Sequence, residues 1–320
     1  MRRFFVSCIV PLLSLAEISA ETVEAIKYGD FEQWVTRNIK ESRILGGNTK
    51  QVYEIAPNET INGSEPYRKR GGSPWETSNV MANVMGIIKT SNAVFPDERS
   101  AGNRCCKLST ILEKCKALGM VNIEVLVTGT VFLGEMLEPI RSTSNPYSKM
   151  EMGVPFSRRP KALRLDYRLV IPDSDERLYS SGFGSKKTYK GHDTAEVFIL
   201  LQRRWEDEDG NLYAKRVGTG RERFGTSTGG WVNNHDITVM YGNITKNPGY
   251  KPFMGLIPEE KNYYARNSKG KMVPVKEVGW DDADATPTHL LVMASSGSGT
   301  AYIGTLGLTF WIDNMKLVYE

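Results

Sequence analysis

The feature that most constrains the fold is a period-two alternation of apolar and polar residues in short segments that end at turn residues. In the segment Ala162–Ile171, apolar and charged side chains alternate: Leu163, Leu165, Tyr167 and Leu169 against Arg164, Asp166 and Arg168. A period of two is typical of a β-strand, and one apolar set predicts an antiparallel strand with one face in the core.

Five further segments are rich in β-branched and aromatic residues and are predicted as strands. They are Asn122–Thr128, Thr194–Gln202, Trp231–Tyr241, His289–Ala294 and Phe310–Tyr319. Asp209-Gly210-Asn211 predicts a hairpin turn between two such runs. Helical signals are few. The spacing of Leu112 and Cys115 predicts a short helix over Ser109–Leu118, with Gly119 as its stop. Many strands with one or two short helices predict an all-β sandwich or barrel.

Residues 1–20 have the composition of a cleaved secretory signal. Two arginines precede an apolar stretch, Phe4–Leu15, and small residues follow at Ala16 and Ala20. The stretch is too short to span a bilayer, so we expect cleavage after one of these alanines and export to the periplasm, the cell surface or the medium. We expect residues 21–320 to form a single domain without a transmembrane segment.

Charge and cysteine content exclude some classes of function. The chain has 41 Lys and Arg against 37 Asp and Glu, a formal net charge of +4, which does not favour a nucleic-acid partner. Cys105, Cys106 and Cys115 follow the predicted signal without a CxxC metal pattern. We interpret them as buried free thiols. One disulfide, from Cys115 to Cys105 or to Cys106, is sterically allowed.

Several short motifs, taken in order, resemble a known family. The motifs are Gly29–Trp34, Trp75–Asn79, Lys107–Thr110, Gly129–Gly134, Gly153–Leu163 with Tyr167, and Met293–Ser296 followed by Gly304, Gly307 and Trp311–Tyr319. They resemble the putative carbohydrate metabolism domain family of Bacteroidetes from about residue 28 to 320. The resemblance implies a jelly-roll β-sandwich similar to carbohydrate-binding modules, exported by glycan-degrading bacteria. It also implies oligosaccharide or polysaccharide as ligand, with other glycan-utilisation proteins as partners.

The same resemblance implies a structural calcium ion where the first and last strands meet. Its ligands would include Glu32 and Asp313, because calcium prefers carboxylate and carbonyl oxygens. The alternative is that both carboxylates bond the backbone at strand ends. We also expect Phe31–Trp34 and Trp311–Tyr319 to lie in neighbouring strands.

Aromatic residues in polar, glycine-rich contexts are candidates for sugar stacking. Trp34 and Trp311 lie in alternating apolar segments and are predicted to be core residues. Trp75 and Trp231 each follow glycine-rich runs, so we interpret them as loop aromatics. We predict that five residues approach one concave binding face: Trp75, Asn79, Arg159, Tyr167 and Trp231. The rings would stack on sugar, and Asn79 and Arg159 would bond hydroxyls or a uronate carboxylate.

Three functions remain open from the sequence. The favoured one is an exported carbohydrate-binding protein. The second is a glycoside hydrolase or lyase on the same fold, which would need two carboxylates facing one groove at roughly 5 to 10 Å. The third is a structural or adhesion protein with no small ligand, which would expose a large apolar patch. No carboxylate pair stands in a motif that selects it, and the Gly297–Gly299 run lacks the context of a nucleophile elbow.

Overall fold

A computed structural model describes residues 21–117, 121–182, 184–298 and 300–320. The predicted signal at residues 1–20 lies outside the described residues. Over the described ranges the chain is nearly all β, which confirms the predicted fold class. These ranges contain no helix that is long and apolar enough to cross a membrane.

The described strands are numbered in chain order. The first eleven are β1 (Thr22–Ala25), β2 (Trp34–Lys40), β3 (Thr49–Ile55), β4 (Glu59–Asn62), β5 (Trp75–Thr77), β6 (Val80–Val84), β7 (Ile87–Ser91), β8 (Val94–Ser100), β9 (Asn103–Ala117), β10 (Val121–Thr128) and β11 (Thr130–Met136). The next seven are β12 (Met150–Met152), β13 (Val154–Pro155), β14 (Ala162–Val170), β15 (Glu176–Tyr179), β16 (Lys187–Lys190), β17 (Ala195–Glu206) and β18 (Leu212–Phe224). The last seven are β19 (Val232–Thr238), β20 (Met240–Tyr241), β21 (Tyr264–Arg266), β22 (Met272–Trp280), β23 (His289–Ser295), β24 (Ile303–Gly304) and β25 (Thr309–Tyr319). Short 3-10 helices span Arg43–Leu45, Pro146–Lys149, Ile244–Lys246, Pro252–Met254 and Glu259–Lys261.

Two large sheets organise these strands. The seven-stranded sheet follows the order β10-β9-β25-β14-β19, with β1 added at β25 and β8 at β9. The ten-stranded sheet follows β13-β23-β17-β18-β22-β21-β12-β11-β5, with β20 on β18. Strand β11 also pairs with β23, which closes part of this sheet into a ring. Smaller sheets are β3-β2-β4, β16-β15-β24 and the hairpin β6-β7.

The main core lies between the two large sheets. It contains the inward residues of β14 and β25 and those of β17 on the opposite sheet, including Leu163, Leu165, Phe310, Ile312, Val197 and Ile199. Burying a side chain of this size stabilises the fold by about 1.5 to 3 kcal/mol. The alternation read from Ala162–Ile171 is therefore confirmed. A second apolar cluster, with Phe132, Phe198 and Leu291, lies beside the strands of the closed ring.

The other strand predictions are also confirmed, but the predicted helix is wrong. Residues 109–117 belong to β9, which pairs with β10 in a register that sets Ile111 opposite Val127 and Cys115 opposite Ile123. Pairing with β10 decides the structure of this segment, since tertiary pairing overrides local helix propensity. The proposed stop at Gly119 lies outside the described residues. The hairpin at Asp209-Gly210-Asn211 is confirmed between β17 and β18.

The two terminal segments meet, although not through the predicted motif. Strand β1 pairs with β25, and Met315 exchanges backbone hydrogen bonds with Ile26 and Gly29. Strand β2, which begins at Trp34, pairs with β3 and β4 instead. Trp34 is buried, as predicted. The β1 pairing attaches the N-terminal segment to the seven-stranded sheet, while β2 lies in the separate sheet β3-β2-β4. One domain over residues 21–320 stays a prediction.

A buried acidic cluster lies where β3, β5 and the segment after β11 meet. The Arg37 guanidinium contacts the carboxyl groups of Glu54 at 2.9 Å and Glu138 at 2.6 Å. Glu76 on β5 is equally buried. Burial raises the pKa of Glu54 to about 8. The charge of Arg37 opposes this rise, and the charge of Glu138 adds to it. Burial and the nearby Glu54 raise the pKa of Glu76 well above its ordinary value, despite the opposing charge of Lys69.

We predict that this cluster makes stability fall as pH rises. Glutamates of the unfolded chain ionise near pH 4.5, whereas Glu54 and Glu76 keep their protons in the folded state, so raising the pH from about 5 to 8 favours unfolding. Glu76→Gln should flatten that decline and raise the unfolding free energy at pH 8 above that of the wild type. Urea unfolding across this pH range measures it, with the exposed Glu59→Gln as control. Parallel wild-type and Glu76→Gln curves would contradict the prediction.

Candidate functional site

The solvent face of the seven-stranded sheet carries a row of aromatic and charged side chains. Phe310 and Ile312 point into the core, so the alternation of β25 turns Trp311 outward, where it is half-buried. Its neighbours across the sheet are Lys107 on β9 and Arg168 on β14. The Lys107 ammonium lies 5.7 Å and the Arg168 guanidinium carbon 4.9 Å from the centroid of the indole. The prediction that Trp311 is a core residue is therefore wrong.

Arg99 contacts the other charged and aromatic side chains of this face. Residue 99 lies at a register shift between β8 and β9, and such a bulge redirects the side chain. Its guanidinium Nη1 donates to the carboxylates of Asp166 at 2.6 Å and Asp313 at 2.8 Å. The same guanidinium stacks 4.5 Å from the centroid of Trp231 and also bonds Asn233. Arg99 thereby links β8, β14, β25 and the segment before β19.

The two aspartates lie opposite each other in the β14–β25 ladder. Like charges at such positions destabilise a sheet, and the guanidinium between them offsets this. Burial disfavours the charge on Asp166, but Arg99 and the backbone N–H of Asn234 hold its pKa below the ordinary value. Burial prevails at Asp313 and raises its pKa in spite of Arg99. Arg99 thus offsets the electrostatic repulsion between the two carboxylates.

A polar cleft of about 380 Å³ borders this face. It is lined by residues of β2, β3, β8 and β9: Trp34, Thr36, Gln51, Tyr53, Pro96, Asp97, Glu98 and Arg104. Asp97 joins the cleft to the sheet face, because its carboxylate accepts a hydrogen bond from Trp311 Nε1 at 2.9 Å. Burial alone would raise the pKa of Asp97, but the donors Trp311 and Glu98 N–H, with Lys107 nearby, hold it below its ordinary value. The cleft thus combines aromatic surface with ionised acceptors and amide donors.

The structure does not bring the five predicted binding residues onto one face. Trp231 is half-buried on the surface just described. Tyr167 points inward and packs against Phe224 and Phe310, with centroids 4.7 and 6.0 Å apart. The Arg159 guanidinium bonds the backbone carbonyls of residues 283 and 285 and lies over the ring of Tyr241.

Trp75 and Asn79 lie in the interior, which differs from the expectation drawn from their glycine-rich context. Trp75 is 1% exposed, and its Nε1 donates to the Lys27 carbonyl at 3.0 Å. The preceding Gly-Gly run serves as a turn into β5, which pairs with the buried strand β11. The Asn79 amide is also 1% exposed, and it bonds backbone groups of Tyr53 and Val94. These contacts hold strands together and leave neither side chain free for a ligand.

The predicted calcium ligands each have a protein partner. Asp313 is bonded to Arg99. Glu32 accepts hydrogen bonds from the backbone N–H of Arg104 at 3.1 and 3.2 Å. The described residues contain no group of three or more His, Cys, Asp or Glu side chains that could hold a metal ion. This donor set does not fit a calcium ion held between Glu32 and Asp313.

Sequence reasoning missed Arg99, Asp166, Trp311 and Tyr53. The signal for Trp311 was present, because an alternating strand with Phe310 and Ile312 inward must turn residue 311 outward. Arg99 and Asp313 are 214 residues apart in the chain, and no local pattern predicts their contact.

The fold and this surface define a β-sandwich protein with an open, aromatic and polar sheet face. The chain belongs to the family described as a putative carbohydrate metabolism domain, whose model matches residues 30–318. Among curated proteins, none matches it.

Two solved structures are similar to this chain, and both are described as putative glycoside hydrolases. One, from Bacteroides thetaiotaomicron, is 15% identical, with coverage of 89% of this chain and 71% of that one and a TM-score of 0.46. The other, from Bacteroides vulgatus, is 13% identical, with coverage of 92% and 94% and a TM-score of 0.40.

We predict that Arg99, and no metal ion, neutralises the Asp166–Asp313 pair. Arg99→Ala should lower the unfolding free energy at pH 7 by about 1 to 3 kcal/mol, because it leaves two carboxylates without their cation. The loss should shrink as the pH falls toward about 4, because Arg99→Ala removes the cation that holds the pKa of Asp166 down, so the variant's pair takes up a proton more readily. Thermal unfolding with and without a chelator measures both effects, and Arg70→Ala, at an exposed pair, is the control. A chelator that lowers the wild-type melting temperature would contradict this assignment and support calcium.

Proposed function

We propose that this protein binds glycan on the solvent face of its seven-stranded sheet, through Trp231 and the adjoining cleft. The observation that carries the proposal is the fixed position of the half-buried Trp231 ring. One of its faces rests on Arg99, and Arg99 is itself held by the carboxylates of Asp166 and Asp313. An aromatic ring that is held in place before binding loses little conformational entropy when a ligand stacks on it.

The cleft supplies the polar half of such a site. Sugar hydroxyls both donate and accept hydrogen bonds. The cleft offers the carboxylates of Asp97 and Glu98 as acceptors, the Gln51 amide as donor and acceptor, and the Arg104 guanidinium as donor. Tyr53 adds aromatic surface at its wall. Apolar faces with a few convergent polar groups are the usual composition of a small-molecule site.

The carboxylates support binding better than hydrolysis. A general acid in a glycosidase needs a raised pKa and access to substrate. Asp97 lies in the cleft, yet its hydrogen bonds hold its pKa below the ordinary value. The carboxyls whose pKa is strongly raised, Glu54 and Glu76, are each 2% exposed. Among the described carboxyls, a raised pKa and access to solvent are therefore separated, and hydrolysis is the second hypothesis.

The cellular setting completes the proposal. The predicted signal at residues 1–20 supports export, and membership of a carbohydrate-related family supports a glycan partner. We propose a periplasmic or surface-exposed protein of a glycan-utilisation system. The polar cleft, which Asp97 joins to the sheet face through Trp311, favours a ligand-binding role over an adhesion protein without a small ligand.

Trp231→Ala should weaken glycan binding by about 1 to 3 kcal/mol, as loss of an aromatic anchor does at other interfaces. The melting temperature should change little, because the ring is half-buried at a loop. Affinity electrophoresis against soluble polysaccharides, followed by titration calorimetry on those retained, measures the loss. Trp231→Phe should keep part of the affinity, and Tyr189→Ala, an exposed aromatic in another sheet, should keep all of it. Unchanged affinity in Trp231→Ala would rule out this surface.

A further inference from the structure

A second aromatic surface lies at the end of the β17–β18 hairpin. Trp205 is 42% exposed, an unusual degree for an indole on a regular strand. It pairs across the ladder with Tyr213. The two ring centroids are 5.8 Å apart and the planes differ by 22°, so the rings are nearly parallel. Together they form a continuous aromatic patch that we call the hairpin platform.

The sandwich core explains why this patch is accessible. Val197, Ile199 and Leu201 on β17 face the core, but the hairpin continues beyond them. After the register shift at Leu201, Arg203 and Trp205 follow at every second position. The Arg203 side chain is 48% exposed and pairs with Asp281. The part of the sheet that carries the platform therefore extends past its buried portion.

Polar groups lie at the Tyr213 end of the platform. Lys276 on β22 lies beside Tyr213 in the parallel β18–β22 ladder. The Asp207 carboxylate accepts hydrogen bonds from Asn211 at 2.8 and 2.9 Å and interacts with the Tyr213 hydroxyl. Flat apolar rings with charged donors and acceptors at their edge match the two-sided chemistry of a sugar, which has C–H faces and equatorial hydroxyls.

A purely structural role explains the platform less well. A cross-strand aromatic pair does stabilise a hairpin end modestly. That role is served when the rings cover each other or the sheet, and it gives no reason to leave the indole 42% exposed. Exposed apolar surface concentrated on one hairpin end is typical of an interaction site.

We propose that the hairpin platform is a second sugar-stacking site, and that the physiological ligand is a polysaccharide long enough to engage it together with the Trp231 surface. The proposal rests on the proposed glycan-binding function and extends it to the length of the ligand. Two sites on one chain make the second contact intramolecular, so a polymer gains avidity that a short oligosaccharide does not.

The experiment compares polymers with oligosaccharides of the same backbone. The probes are mixed-linkage β-glucan, xylan, galactomannan, arabinan, polygalacturonic acid and chondroitin sulfate, each with its tetrasaccharide. The proteins are the wild type, Trp205→Ala, Trp205→Phe and the control Tyr189→Ala. We expect Trp205→Ala to bind the retained polymer at least about tenfold more weakly. It should bind the tetrasaccharide as the wild type does and keep the wild-type melting temperature, while Trp205→Phe should retain intermediate polymer affinity.

Each other outcome overturns the proposal in a recognisable way. Wild-type polymer affinity in Trp205→Ala would overturn the platform and leave the Trp231 surface intact. Equal losses for polymer and tetrasaccharide in both Trp205 variants, with earlier melting, would show that the ring only stabilises the hairpin. A wild type that retains none of the six polymers would overturn the glycan-binding function itself, together with the platform.

Discussion

Strand β25 is the element on which the rest of the structure depends, because it hydrogen-bonds to three strands at once. It pairs with β9 and β14 and, toward its end, with β1. Its inward residues Phe310 and Ile312 enter the main core, while the next positions, Trp311 and Asp313, face the solvent side. The same eleven residues thus anchor the sandwich, pair with the first described strand and supply Trp311 and Asp313 to the candidate surface.

Charge placement on that surface follows from the pairing of β25 with β14. The register sets Asp166 against Asp313, and this repulsion is offset by Arg99 from a bulge in β8. Because the guanidinium is planar, it can bond the carboxylates at its edge and stack on Trp231 with its face. One side chain therefore couples sheet stability to the orientation of the aromatic ring that we propose for sugar stacking.

The sequence carries enough information to predict most of the fold. Alternation in β14 and β25, with turn residues between runs, predicts antiparallel strands correctly, because both strands have one core face. The pattern fails over 109–117, where pairing with β10 decides the structure.

The site was less predictable. Trp75 and Trp231 have similar glycine-rich contexts, but Trp75 enters a strand that pairs with a buried neighbour, and Trp231 precedes β19 at the sheet edge. Asp313 was predicted as a calcium ligand, whereas the structure pairs it with Arg99, a contact that depends on a bulge and joins distant parts of the chain. Such partners follow from sheet register, which no single sequence displays.

The central claim is that the protein binds a glycan without cleaving it. The most direct measurement incubates the wild type with each polysaccharide that it retains in affinity electrophoresis and quantifies reducing ends over time. The account predicts retention of at least one polymer with no increase in reducing ends over a protein-free control. New reducing ends that grow in proportion to protein concentration would contradict it and identify the protein as a glycoside hydrolase.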